Sequence, residues 1–193
     1  ITRDTKAIYA QHTFGLPCNI EKIRRLAQKY NLYIIEDAAH SFGGSVGNKK
    51  IGTLGDIAFF STDHTKFIST YLGGIITTDS KTLANKIENI NKNIENLSFK
   101  NRLKIVISFL LENIFFSPYL LWIGNPLYKL LIKAGFIFGF SDELMVDKPQ
   151  EYPYPCNLGS FQSEVGINQI KNIEKNTSDR FERIKILNNL LGL

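Results

Sequence analysis

Cysteine is scarce in this chain: Cys18 and Cys156 are the only two among 193 residues. They lie far apart, and neither has a second Cys or a His at ligand spacing, which argues against a disulfide scaffold and a metal site. A reducing, cytoplasmic compartment is the expectation. No run reaches the roughly 18 uncharged apolar residues of a transmembrane helix, and the opening ITRDTKAIYAQH lacks the apolar core of a signal peptide. A basic stripe interleaved with aromatics, of the kind that binds nucleic acid, is missing too. The formal net charge is +5, and the lysines are spread out instead of being gathered with aromatics on one stripe, so no nucleic-acid partner is expected. Gly43, Gly44, Gly47, Gly52 and Gly55 do not open a helix after a strand in the order a dinucleotide fingerprint requires, and they read as turn residues. What remains is an ordinary globular composition, 44% hydrophobic and 21% charged, long enough for one domain with a core.

Strands and helices alternate through the first part of the chain. AIYAQH, residues 7–12, reads as a strand. Asn19 can cap a helix whose apolar positions Ile20, Ile23, Leu26 and Tyr30 recur at helical spacing. Residues 32–36, 56–61 and 73–78 read as further strands, and Leu83, Ile87, Ile90 and Ile94 mark a second amphipathic helix. This alternation predicts an α/β sheet, with ligands beyond the carboxyl ends of its strands.

Two of those ends carry chemistry. The apolar run LYII leads straight into Glu36 and Asp37, and the strand DIAFFS is followed by Lys66, five residues after Ser61. A strand must reach solvent somewhere, and a lone lysine usually snorkels to the surface. A carboxylate and an amine facing one cleft have a sharper use. The carboxylate can hold a pyridinium nitrogen protonated, and a desolvated amine can join an aldehyde, which is the protein's share of pyridoxal phosphate chemistry.

EDAAHSFGG, then GNKKIGTLGDIAFFSTDHTK, then LGGIITTD resemble, in order and spacing, successive blocks of the DegT family of pyridoxal-phosphate-dependent sugar aminotransferases. The resemblance covers most of residues 1–95 and resumes near LGSFQSEVGINQIKNIEK. It implies the aspartate aminotransferase fold: a three-layer α/β/α large domain with a partial, mixed, mostly parallel sheet, and a long C-terminal helix leading to a small domain. It implies that Asp37 pairs with the pyridine nitrogen, that His40 lies at the ring and its phenolic oxygen, that Ser61 touches the phosphate, and that Lys66 is the catalytic lysine joined to the cofactor. His12 and His64 are candidates for the substrate side. Family members are longer, so the chain is expected to be an internal fragment. Two blocks depart from the pattern. Tyr71 and Leu72 precede Gly73 and Gly74 where the family commonly has Gly-Glu-Gly-Gly, and Pro155, Cys156 and Asn157 stand where it often has Asn-Tyr-Arg.

Residues 100–140 are longer and more apolar than the family usually has at this place. Leu103, Ile107, Leu110, Leu111 and Ile114 fit one helical face, Pro118 breaks the run, and Asn125 with Pro126 suggests a second helix start. The expected division is residues 1–99 for the cofactor-binding part, 100–150 for an apolar, cationic helical hairpin insertion, and 151–193 for the helices leading to the small domain. Burial of the hairpin against a partner subunit or against a domain that this fragment lacks is expected; a membrane surface is the alternative. The function implied is transfer of an amino group, with glutamate as donor, to a nucleotide-linked keto sugar in surface-polysaccharide or amino-sugar biosynthesis, by a homodimer. The family branch that dehydrates sugars carries histidine in place of this lysine, so Lys66 points to transamination. The competing reading is a non-catalytic homologue that keeps the fold for binding or assembly.

Overall fold

The computed structural model describes residues 1–138 and 155–192, so the expected boundary between residues 150 and 151 lies outside the described residues. The chain divides into two compact units, one made of Ile1–Leu83 with the chain from Gln162 onward, the other of Ala84–Phe161.

The first unit is built on strands β1 (Ala7–Gln11), β2 (Tyr33–Asp37), β5 (Ile57–Ser61) and β6 (Gly74–Thr77), which form a sheet in the order β1-β2-β5-β6. The first three run parallel, and β6 pairs antiparallel with β5. A two-stranded hairpin, β3 (Ser45–Val46) with β4 (Lys49–Lys50), lies between β2 and β5 in sequence. Helix α1 (Ile20–Tyr30) connects β1 to β2. It starts where the Asn19 side chain accepts the Lys22 amide at 3.2 Å, and it ends at Asn31, whose left-handed backbone lets its N–H reach the Ala27 and Gln28 carbonyls. Its inward stripe is Ile20, Ile23 and Ala27. Leu26 and Tyr30, expected on that stripe, are 42% and 46% exposed, because the small Ala27 takes the place against the sheet.

The core lies on one face of the sheet. Ala10, Ile20, Ala27, Ile34 and Leu54 form one cluster, and Ala38, Ile51 and Phe60 form another, with Val46 packed against both. Tyr9, Tyr33 and Ile76 project from the opposite face and are more than half exposed. Helix α2 (Lys81–Lys92) follows β6.

The second unit contains α3 (Phe99–Phe115) and α4 (Leu121–Lys133). Ser98 caps α3 by accepting the Asn101 amide at 3.2 Å. The expected start of the second helix at Pro126 is corrected: α4 begins at Leu121 and holds Pro126 inside it. The helix starts early because Gly124 lets α4 sit against the Phe115 backbone, where a Cβ would collide. The missing proline N–H orphans only the carbonyl of Trp122, an exposed residue. Helices α5 (Ser160–Lys171) and α6 (Ile173–Leu191) close the chain. The two are parted at Asn172, whose side chain donates to the Asn168 carbonyl at 2.8 Å.

Candidate cofactor site

At the end of β2 the two acids point to opposite faces, as neighbours on a strand must. Glu36 faces the core and is fully buried. Its Oε1 accepts the amides of Leu54, at 2.6 Å, and Gly55; its Oε2 accepts the Gly52 amide at 3.0 Å and lies 3.1 Å from His12 Nε2. The GTLG turn can wrap the carboxylate this closely because it carries glycine at both ends. Gly52 has φ +91° and a Cβ there would run into the Phe60 ring; a Cβ on Gly55 would lie 2.9 Å from the Ile34 carbonyl oxygen. His12 Nδ1 accepts the Cys18 amide at 3.3 Å, which leaves the ring proton on Nε2, donated to Glu36. At His12, expected on the substrate side, the ring is therefore 1% exposed with both nitrogens bonded inside the chain. This arrangement braces the turn and offers no nitrogen to a ligand. Burial, then the Glu36 charge, pushes the Cys18 thiol up.

Asp37 faces the other way. It is 7% exposed; Oδ2 accepts the Tyr9 hydroxyl at 2.6 Å and Oδ1 the Ala39 amide at 3.0 Å. The hydrogen bond to Asp37, then burial and the Asp37 charge, pushes the Tyr9 phenol up to about 12. Asp37 pairs in register with Phe59, so Ser61, two residues further along β5, lies on the Asp37 face of the sheet. His40 follows three residues after Asp37, and its Nε2 lies 3.3 Å from Lys66 Nζ. Phe14 packs edge-on to the His40 ring, with centroids 5.0 Å apart.

The loop that carries Lys66 is fixed from behind. Thr62 and Thr70 are buried and share a hydroxyl hydrogen bond of 2.7 Å. From α5, Gln162 Nε2 donates to the carbonyls of Thr70 and Leu72 at 3.1 and 2.6 Å. Gln169 holds both backbone groups of Ser69, accepting its N–H at 3.0 Å and donating to its C=O at 2.6 Å. Tyr71, where the family pattern has its first glycine, is fully buried with a left-handed backbone, φ 73°, a conformation costly for an aromatic residue. His64 Nδ1 lies 3.2 Å from Asp63 Oδ1. Burial pushes the Asp63 carboxyl up, but the hydrogen bonds from His64 and the His64 and Lys66 charges outweigh it and hold Asp63 below the usual carboxylate range. In the second unit, Asn157 donates to the Ile94 carbonyl at 3.0 Å.

The geometry therefore puts Asp37 and Ser61 on one sheet face and brings His40 to Lys66, while His12 lies on the core side with Glu36. Tyr9 and Asp63 escaped the sequence reading. The signal for Tyr9 is its place on the strand parallel to β2, on the Asp37 face; for Asp63, its place between Ser61 and Lys66.

Residues 1–104 match the DegT/DnrJ/EryC1/StrS aminotransferase family. An uncharacterized protein, MJ1066, of Methanocaldococcus jannaschii is 34% identical across all of this chain and 42% of its own length. The GDP-perosamine synthase of Escherichia coli O157:H7 is 47% identical over 83 residues, 43% of this chain and 23% of the enzyme. The chain thus spans less than half the length of these curated relatives. Among solved structures, an aminotransferase from Psychrobacter cryohalolentis shares the fold with a TM-score of 0.57 and 22% identity, over 91% of this chain and 35% of that one. The motifs around Asp37 and Lys66 lie within the matched residues, and the chain belongs to the DegT/DnrJ/EryC1/StrS aminotransferase family.

Proposed function

We propose that the full-length protein is a pyridoxal-phosphate-dependent aminotransferase that takes an amino group from glutamate and delivers it to a nucleotide-linked keto sugar, in surface-polysaccharide or amino-sugar biosynthesis. The observation that carries this reading is the 3.3 Å approach of Lys66 Nζ to His40 Nε2, three residues beyond the buried Asp37 carboxylate. The donor set fits the cofactor: a carboxylate for a ring nitrogen, an imidazole for the ring and its oxygen, a hydroxyl for a phosphate and an amine for an aldehyde. Bound there, pyridoxal phosphate supplies the electron sink that amino transfer requires.

The protein's own groups have distinct tasks. Asp37, held by Tyr9 and the Ala39 amide, keeps a negative charge where a protonated ring nitrogen needs one. Ser61 offers its hydroxyl to the phosphate, and His40 orients the ring. Lys66 Nζ takes up and returns the substrate proton, a general acid–base role that contributes about 10²- to 10⁴-fold in rate. The glutamine clamp from α5 holds the Lys66 loop for this task, and His64 stands on the substrate side. A cytoplasmic homodimer is the assembly proposed. Support comes from family membership and from the GDP-sugar amine in the name of the Escherichia coli relative.

The test is the absorbance of the full-length protein purified with pyridoxal phosphate. A band near the visible edge that shifts on adding glutamate is expected. Lys66→Ala abolishes both the band shift and amino transfer while melting without cofactor barely moves, since the side chain fills no core. Turnover retained in that variant would sink the role given to Lys66, and a protein that shows no cofactor band would be a non-catalytic homologue.

A further inference from the structure

Between residues 99 and 138 the only acid is Glu112, against Lys100, Arg102, Lys104, Lys129 and Lys133. On α3, the side chains Phe99, Leu103, Ile107, Leu110 and Ile114 fall on one narrow arc at the helical period, and each is between 38% and 75% exposed. The same period places Lys100 along one border of that arc and Arg102 along the other. The buried residues of α3, Ile105 and Ser108, lie on the far side of the helix. Ser108 is tied inward, donating to the Lys104 carbonyl at 2.7 Å and accepting the Phe138 amide at 3.1 Å. On α4, Trp122, Ile123 and Leu130 are 88%, 73% and 61% exposed, next to the exposed Lys129 and Lys133. Tyr119, in the bend between the helices, is 95% exposed. Among the described residues, no helix is long and apolar enough to cross a membrane.

We propose that this hairpin docks the protein onto an anionic lipid surface, lying in the interfacial layer with its apolar arc toward the acyl chains and its basic borders on the lipid phosphates. Charge favours this occupant over a second copy of the same hairpin. A symmetric pairing of two such hairpins brings together two segments that each carry five basic residues against the single Glu112. An anionic surface meets the same charges with opposite sign. Trp122 and Tyr119 fit this occupant, because their rings combine an apolar body with a polar tip suited to the headgroup level. A helix too short to span, with basic residues bordering an apolar arc as on α3, is the pattern of a segment that lies on a bilayer.

The full-length protein, sedimented with vesicles of phosphatidylglycerol and phosphatidylcholine, is expected to pellet with them, but not with phosphatidylcholine alone. Pelleting weakens in high salt and falls about fivefold for each of Lys129→Gln and Lys133→Gln. Trp122→Ser abolishes it without changing the far-UV circular dichroism, since the replaced ring is exposed. Pelleting with neither kind of vesicle, or equally with both, overturns the proposal, as does wild-type pelleting by Trp122→Ser. A concentration-dependent dimer that Trp122→Ser dissolves, without vesicle binding, overturns it in favour of a second copy of the chain.

Discussion

Replacing Glu36 by glutamine turns one carboxylate oxygen into an NH₂ group in a site that accepts four hydrogen bonds, from the amides of Gly52, Leu54 and Gly55 and from His12 Nε2. Whichever way the new amide turns, its NH₂ faces two donors: Leu54 and Gly55 on one side, or Gly52 and His12 on the other. His12 cannot relieve the clash by moving its proton to Nδ1, because that nitrogen accepts the Cys18 amide. Two hydrogen bonds to a charged acceptor are lost, each worth about 1.5–3 kcal/mol, so Glu36→Gln costs about 3–6 kcal/mol. That is a large part of the about 5–15 kcal/mol that holds a typical domain folded. Urea unfolding followed by far-UV circular dichroism should show the midpoint falling by roughly 1.5–3 M at a slope of about 2 kcal/mol/M. A midpoint within about 0.3 M of wild type would refute the claim that the turn is built on the Glu36 side chain.

The Tyr9 phenol should titrate near 12 in the folded chain, read as the ultraviolet difference between wild type and Tyr9→Phe, and return toward 10 in Asp37→Asn. Since the folded value lies above the ordinary one, the Tyr9–Asp37 bond contributes in full below pH 10 and is lost as pH rises through about 12; a wild-type midpoint at 10 refutes it. Gln162→Leu removes the donor shared by the Thr70 and Leu72 carbonyls. It should lower stability by about 1–3 kcal/mol in the same urea assay, and an unchanged midpoint would show that α5 does not hold the Lys66 loop.

The local parts of the fold were legible in sequence. Asn19 announces α1 because a cap bonds to an amide three residues away, and the β-strands announce themselves by short apolar runs bounded by turns. Leu26 and Tyr30 were misplaced because helical period alone does not say which of two overlapping stripes a small Ala27 will turn inward. Pro126 was misread because the contact that sets the start of α4, Gly124 against Phe115, is tertiary. The acids at the end of β2 divide the same way. A motif singles out Asp37, whereas the burial of Glu36 depends on a turn 16 to 19 residues further along the chain. The meeting of His40 with Lys66, 26 residues apart, has no local signature either.

The clamp from α5 also sets an order of events in synthesis. Gln162 lies 92 residues after Thr70 and 90 after Leu72, with the whole second unit between them. At the usual pace of about 5–20 residues per second, the loop bearing Lys66 waits roughly 5–20 s after it is made before those carbonyls receive their donor. The sheet and α1 can pair from contacts already present, but this loop cannot take its final form until α5 emerges. A nascent chain stopped short of Gln162 would therefore present a folded sheet edge with an unfastened lysine loop, and the segment on which the proposed chemistry depends would be the last part of the first unit to mature.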